Sequence, residues 1–136
     1  MYELFNDTYI EETDQTFAMF SKEWLTIYSE VYEVKPSTIR IRLHEIAKLM
    51  PYFAELKIKD ITRKLYQDAL NDLKDLGYSH NTMKGINRTG KMIFRKALEL
   101  ELIKKDPTEF AYLKKDKKSI DDLKQKRFQS IWRKKN

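Results

Sequence analysis

The chain has 136 residues, with 27 Lys and Arg against 21 Asp and Glu, for a net charge of +6. A length of this order suits one compact domain with tails and one hydrophobic core, which excludes the two or three domains of a large enzyme. Hydrophobic residues make up 41% and charged residues 35%, the balance of a folded domain rather than a disordered chain. Apolar runs are too short for a membrane-spanning helix or a secretory signal. Without cysteine there is no disulfide framework, no thiolate nucleophile and no Cys-based metal site, and a reducing cytoplasm is the expected compartment. Gly and Pro number three each, too few for the turns of hairpins, so the expected fold class is all-α.

Charge is unevenly spread. Residues 1–34 hold eight acids and one base, net −7; residues 35–113 are net +6, and residues 114–136, with ten bases and three acids, are net +7. A basic middle and end is an electrostatic footprint for a phosphate polymer or, less specifically, an anionic membrane; a solvated Lys-rich surface has the same composition.

Residues 1–15 are acidic with no sustained period and read as a leader or linker. Phe17, Phe20, Trp24, Ile27, Tyr28 and Val31 recur at helical spacing and predict a first helix over residues 16–32, with Trp24 in the core. Pro36 breaks the pattern, Ser37 is the candidate cap, and a second helix is expected over residues 38–50, with Ile39, Leu43, Ile46 and Met50 on its inner side and Pro51 at its end or a kink. Lys35, Arg40 and His44 fall near its start or off its apolar face, where they can meet a phosphate oxygen. Thr62 is the candidate N-cap of a third helix bearing Leu65, Ala69, Leu70, Leu73 and Leu76, with Gly77 as its left-handed C-terminal residue. Its acids Asp68, Asp72 and Asp75 place it away from any polyanion.

The segment 78–103 is the most informative. Ser79 can cap a fourth helix, and Tyr78 and Met83 are spaced for a hydrophobic staple. Met83, Ile86, Gly90, Ile93, Phe94 and Ala97 point one way. Lys84, Arg88, Lys91 and Arg95 point another, within roughly 60° of arc. The cationic stripe spans about 16 Å at 1.5 Å per residue, a length that can lie in or across a major groove roughly 12 Å wide. Asn81, Thr82 and Asn87 add hydrogen-bonding groups near its start. Gly90 within the apolar set implies a helix crossing closely there, while Gly85 lies off that face. Asp106, Pro107 and Glu109 have the spacing of an N-cap, first-turn proline and capping-box acid, which predicts a short helix ending near Leu113. Residues 114–118 read as a charged linker, and residues 119–136 as a weakly apolar basic helix carrying Ile120, Leu123, Phe128 and Ile131.

His44 and His80 stand alone, and no metal-spaced cluster, phosphate-binding loop, dinucleotide fingerprint or nucleophile elbow is present. The sequence therefore implies no cofactor, no metal and no catalytic constellation. Alongside a nucleic-acid face, the stripe would also suit a helical protein-interaction module that docks an acidic partner.

Thr16-Phe17 to Trp24-Leu25, Lys35-Pro36-Ser37-Thr38, Leu56 with Asp60-Ile61-Thr62, Leu76-Gly77-Tyr78-Ser79 with Asn81-Thr82, Ile93-Phe94 with Ala97, and Ile103 to Asp106-Pro107 form an ordered series. In that order and spacing the chain resembles the core-binding, SAM-like N-terminal domain of phage and conjugative-transposon integrases of the tyrosine recombinase family, over roughly residues 16–115. The resemblance implies a four- or five-helix bundle at residues 16–113 that grips duplex DNA at the core recombination site as one half of a clamp. Residues 1–15 would be its leader, and residues 114–136 the linker toward a catalytic domain. The DNA-facing residues it implies are Lys35, Ser37, Thr38 and Arg40 on the second helix and Asn81, Thr82, Lys84, Asn87, Arg88, Lys91 and Arg95 on the fourth. The partners implied are double-stranded DNA and the catalytic domain of the same integrase, with no membrane. The chain alone is expected to be a monomer and the full-length protein an oligomer on DNA, in a bacterial cytoplasm and associated with the nucleoid when bound. The family often has Asn where this chain has Asp106. The family's catalytic arginines, lysine, H-x-x-R segment and tyrosine would lie beyond residue 120, so the chain is expected to bind DNA without cleaving it.

Overall fold

The structure is a computed structural model that describes residues 12–115. It holds four α-helices: α1 (Phe17–Tyr32), α2 (Pro36–Phe53), α3 (Arg63–Asp75) and α4 (His80–Glu99), with one 3-10 turn at Ile58–Asp60 before α3. No strand occurs among the described residues; residues Thr16 and Lys57 form one isolated antiparallel bridge. The all-α bundle expected from composition and periodicity is the fold observed.

Short polar side chains set three of the four helix starts, each accepting the otherwise unpaired N–H three residues on. Thr16 accepts from Met19 at 3.2 Å, Thr62 from Leu65 at 3.1 Å and Ser79 from Thr82 at 3.2 Å. Gly77 takes φ +106° just past α3, as its position after Leu76 predicts. The start of α2 differs from expectation. Lys35 is its N-cap and makes no side-chain cap bond, Pro36 is its first residue, and Ser37 lies inside the first turn. Proline is pre-set for that position, where its missing N–H has no helical partner to lose, so it opens the helix rather than separating two. At the other end Pro51 lies within α2, which continues to Phe53. The lost hydrogen bond falls at the Ala47 carbonyl, on the exposed side of the helix.

The inner surface of α2 is accordingly rotated from the expected one. Ile46, Leu49 and Phe53 are buried, while Leu43 is 50% exposed. Val31, Leu65 and Leu76, expected inward, are exposed as well. The core is instead closed by aromatic rings, one from each helix. Phe17 of α1 lies 5.6 Å from Phe53 of α2 and 5.8 Å from Phe94 of α4, and Tyr66 of α3 lies 6.1 Å from both Phe53 and Phe94. Offset and edge-on pairs at these separations are worth about 0.5–1.5 kcal/mol each beyond the area they bury. Burial holds the Tyr66 hydroxyl protonated far above the usual tyrosine range, with the Asp106 charge adding to the effect.

Helix α4 packs against each of the other three. Gly90 meets α3, where a Cβ would fall against the Tyr66 hydroxyl, so the close crossing expected at this glycine is observed. The short helix expected after Asp106 does not form; residues 107–110 are a turn. The Asp106 Oδ1 accepts from the Thr108 N–H at 2.8 Å and hydroxyl at 2.6 Å, and Phe110 has φ +70°, which stops helical propagation. Glu109 does not reach back as a capping-box acid but pairs with Arg63 at 2.7 Å. The chain then runs along α3, where the Gln67 side chain accepts from the Tyr112 N–H at 3.0 Å and donates to its carbonyl at 2.9 Å. The leader up to residue 11 and the basic helix expected over 119–136 lie outside the described residues, as do residues 116–118 of the expected linker.

Replacing Gly90 by Ala should destabilise the domain by about 1–3 kcal/mol in urea unfolding, because overpacking against a fully buried ring outweighs the helix-propensity gain of about 1 kcal/mol. An unchanged or increased midpoint would show that Tyr66 yields freely.

Candidate nucleic-acid interface

The buried residues of α4 are Met83, Gly85, Ile86, Thr89, Gly90, Ile93, Phe94 and Ala97. At about 100° per residue their arc is centred roughly opposite that of Lys84, Arg88, Lys91 and Arg95. Lys84, Arg88 and Arg95 are exposed and Lys91 is half-buried. None of the four has an acidic partner among the described residues. Other cations of the bundle do: Lys57 and Lys59 reach Asp14, Arg63 reaches Glu109, Lys64 reaches Asp68, Lys96 reaches Glu99 and Lys114 reaches Asp75. Four like charges within one stripe repel by tenths of a kcal/mol per neighbouring pair, and no ion pair among the described residues offsets them.

A polar joint holds α2 beside α4. The Glu45 carboxylate of α2 accepts from the Thr89 hydroxyl at 2.5 Å and from Arg42 Nη1 at 2.7 Å. The Arg42 guanidinium lies 5.9 Å from the centre of the Tyr28 ring of α1. A Cβ at residue 85 would overlap the same carboxylate, so Gly85 is the gap into which Glu45 fits. Further along α2, the Lys48 ammonium sits 5.0 Å above the ring of Tyr78, just ahead of α4. The two helices are therefore antiparallel, and the N-terminal end of α2 lies beside the C-terminal half of α4. Lys35 is exposed there at the N-cap, and Ser37 and Arg40 are exposed on the side of α2 away from Ile46, Leu49 and Phe53; Thr38 is half-buried. Sequence reasoning missed Glu45, Gly85 and Thr89. The available signal was two small residues, Gly85 and Thr89, one turn apart on a single side of α4.

The remaining expected site residues differ among themselves. Asn81 is exposed with its side chain unengaged, whereas the Thr82 hydroxyl is bonded to that of Ser79 at 3.0 Å. Asn87 is drawn inward: its Oδ1 accepts from the Tyr66 hydroxyl at 2.9 Å, which makes it a strut between α3 and α4 and leaves only its amide N–H groups for a ligand. Among the described residues no group of acidic, His or Cys side chains is placed to hold a metal ion, and no helix is long and apolar enough to cross a membrane.

Four helices around an aromatic core, with a row of cations on α4 opposite its buried side, define a small all-α bundle domain. Residues 16–74, which hold α1, α2 and nearly all of α3, match the family described as phage integrase, N-terminal SAM-like domain. Two solved structures share the fold. The N-terminal domain of the prophage pi2 protein 01, an integrase from Lactococcus lactis, is 23% identical, with a TM-score of 0.67 over 74% of this chain and 94% of that one. The integrase-like domain from Bacillus cereus, solved in solution, is 20% identical, with a TM-score of 0.69 over 78% of this chain and 90% of that one. No curated protein matches the sequence.

Glu45→Ala should lower stability by about 2 kcal/mol, since it takes the carboxylate acceptor from the half-buried Arg42 and the fully buried Thr89. Gly85→Ala, damaging alone, should cost much less in that background. A double-mutant cycle by urea unfolding measures the coupling, and strictly additive effects would mean that the carboxylate and the glycine do not share one joint.

Proposed function

We propose that this domain grips duplex DNA at a core recombination site of a tyrosine recombinase, with α2 and α4 facing the duplex and contacts made mostly to phosphate. One observation carries the reading: four cations on α4, opposite its buried side, have among the described residues none of the acidic partners that offset much of the bundle's other charge. Phosphates would relieve their mutual repulsion and release condensed counterions on binding. Lys35, Ser37, Thr38 and Arg40 at the start of α2, with Asn81, Thr82 and the free amide group of Asn87, would complete the face. Phosphate contacts of this kind set register and orientation, and the few groups that reach base edges set sequence preference.

In this reading the domain acts as the holding half of a clamp in the host cytoplasm. Strand cleavage and rejoining belong to a catalytic domain of the same integrase, and oligomers form when the full-length protein occupies DNA. The family match and the shared fold support the integrase assignment, and the unpaired cation row supports the choice of face.

If four to six phosphates are neutralised, log affinity for duplex DNA should fall with log salt at a slope of about −4 to −5 in a fluorescence titration. A slope near zero removes the reading, and salt-sensitive binding to an acidic protein with indifference to DNA would favour a protein-docking module. Arg88→Ala combined with Lys91→Ala should weaken duplex binding at least tenfold and make the slope shallower by about 2, with helicity by circular dichroism unchanged. Equal binding by the double variant would place the contact face elsewhere.

A further inference from the structure

We propose that the groove between α1 and the C-terminal half of α4 takes an unpaired nucleobase, which stacks on the Tyr32 ring while Arg95 holds the adjoining phosphate. The inference rests on the duplex-DNA reading above and adds to it a site for DNA that departs from base pairing.

The groove grows out of an aromatic ladder on α1. Trp24, Tyr28 and Tyr32 recur every four residues, so their rings lie along one side of the helix. The Trp24 and Tyr28 rings stack with their centres 4.8 Å apart, and the Tyr28 and Tyr32 rings follow at 5.4 Å with a tilt of 52°. Trp24 is buried, whereas Tyr32 at the outer end is 67% exposed. The ladder thus leaves the core and ends on a ring in solvent. Met92 lines the groove from α4, and the space measures about 220 Å³. That is below the roughly 300–1,000 Å³ of sites for drug-sized ligands, and it suits one flat ring rather than a helix docking several anchors along a groove.

Charge at the rim selects among flat rings. Arg95, Lys96 and Glu99 line the same groove. Lys96 and Glu99 pair with each other and cancel. Arg95 is exposed, has no acidic partner among the described residues and is the last member of the cation row. One positive charge, continuous with the proposed DNA face, therefore stands beside an aromatic slot. A nucleobase carries a phosphate one sugar away from its ring, which matches that arrangement, whereas an aromatic side chain of a protein brings no obligatory anion. Stacking on an aromatic ring tolerates any base, because every base has a π-face. Bases inside a duplex must first be unpaired and unstacked at a cost in free energy, so the slot favours bases that are already unpaired.

The test uses the full 136-residue chain and one duplex carrying either adenine or abasic single-stranded overhangs of equal length, so that the number of phosphates is constant. In fluorescence anisotropy at fixed salt, the adenine overhang should bind about tenfold more tightly. A 2-aminopurine in the overhang should lose fluorescence on binding as it stacks. Tyr32→Ala should bring the affinity ratio to about one and abolish the quenching while keeping the salt slope. Tyr32→Phe should retain both, since the ring and not the hydroxyl stacks. Tyr32 is largely in solvent, and an unchanged melting profile confirms that the fold persists in both variants. Equal wild-type binding of the two overhangs overturns the inference and favours a protein side chain as the occupant. A ratio that survives in Tyr32→Ala also overturns it, because the base would then be held elsewhere. Both results leave salt-dependent DNA binding intact, whereas no salt-dependent binding to either probe overturns the DNA reading itself and this inference with it.

Discussion

Four aromatic rings in a closed circuit hold this domain together. Phe17, Phe53, Tyr66 and Phe94 come one from each helix, and each ring touches two of the others. Such a circuit does more than bury area. Rings have preferred offsets and tilts, so four helices that share it have little freedom to slide or rotate independently. Phe94 fixes the rotation of α4 about its own axis, and that rotation decides which of its side chains remain outside. The outward direction of Lys84, Arg88, Lys91 and Arg95 thus follows from a packing choice made on the opposite side of the helix.

Two close approaches reinforce the same orientation. Gly90 admits the Tyr66 hydroxyl from α3, and Gly85 admits the Glu45 carboxylate from α2. One junction is an aromatic edge and the other a charged hydrogen-bonded joint, and they occupy different sides of α4. Buried polar joints are demanding, because each member left unsatisfied costs the full desolvation of its group, but when complete they specify one register. Here Arg42, Glu45 and Thr89 form the joint that fixes α2 beside α4. With neighbours on both flanks, α4 keeps one open arc, and the sequence fills that arc with cations that form no ion pair among the described residues.

Much of this was legible from sequence because it is local. Thr16, Thr62 and Ser79 announce helix starts, and Gly77 a helix end, through hydrogen bonds and backbone preferences set within three or four residues. The two sides of α4 were legible because charge and hydrophobicity coincide with the helical period. The inner side of α2 was not, because Leu43 and Ile39 continue an apolar period that the core does not use, while Leu49 and Phe53 lie across and beyond a proline that reads as a terminus. Tyr66 was passed over because the period of α3 can be satisfied by leucines alone, and only the tertiary ring circuit selects the tyrosine. Asp106 and Glu109 carry the spacing of a capping box, yet Arg63 on another helix captures the acid. Gly85 gave no reading because its partner, Glu45, is forty residues away.

The Gln67 side chain grips the backbone of Tyr112 on both its N–H and its carbonyl, as a neighbouring strand would. Lys114 adds a second tie, to Asp75 near the end of α3. The described chain therefore ends fastened along one side of α3, and the stretch 112–114 cannot leave that helix without giving up the Gln67 bonds and the Lys114 ion pair together.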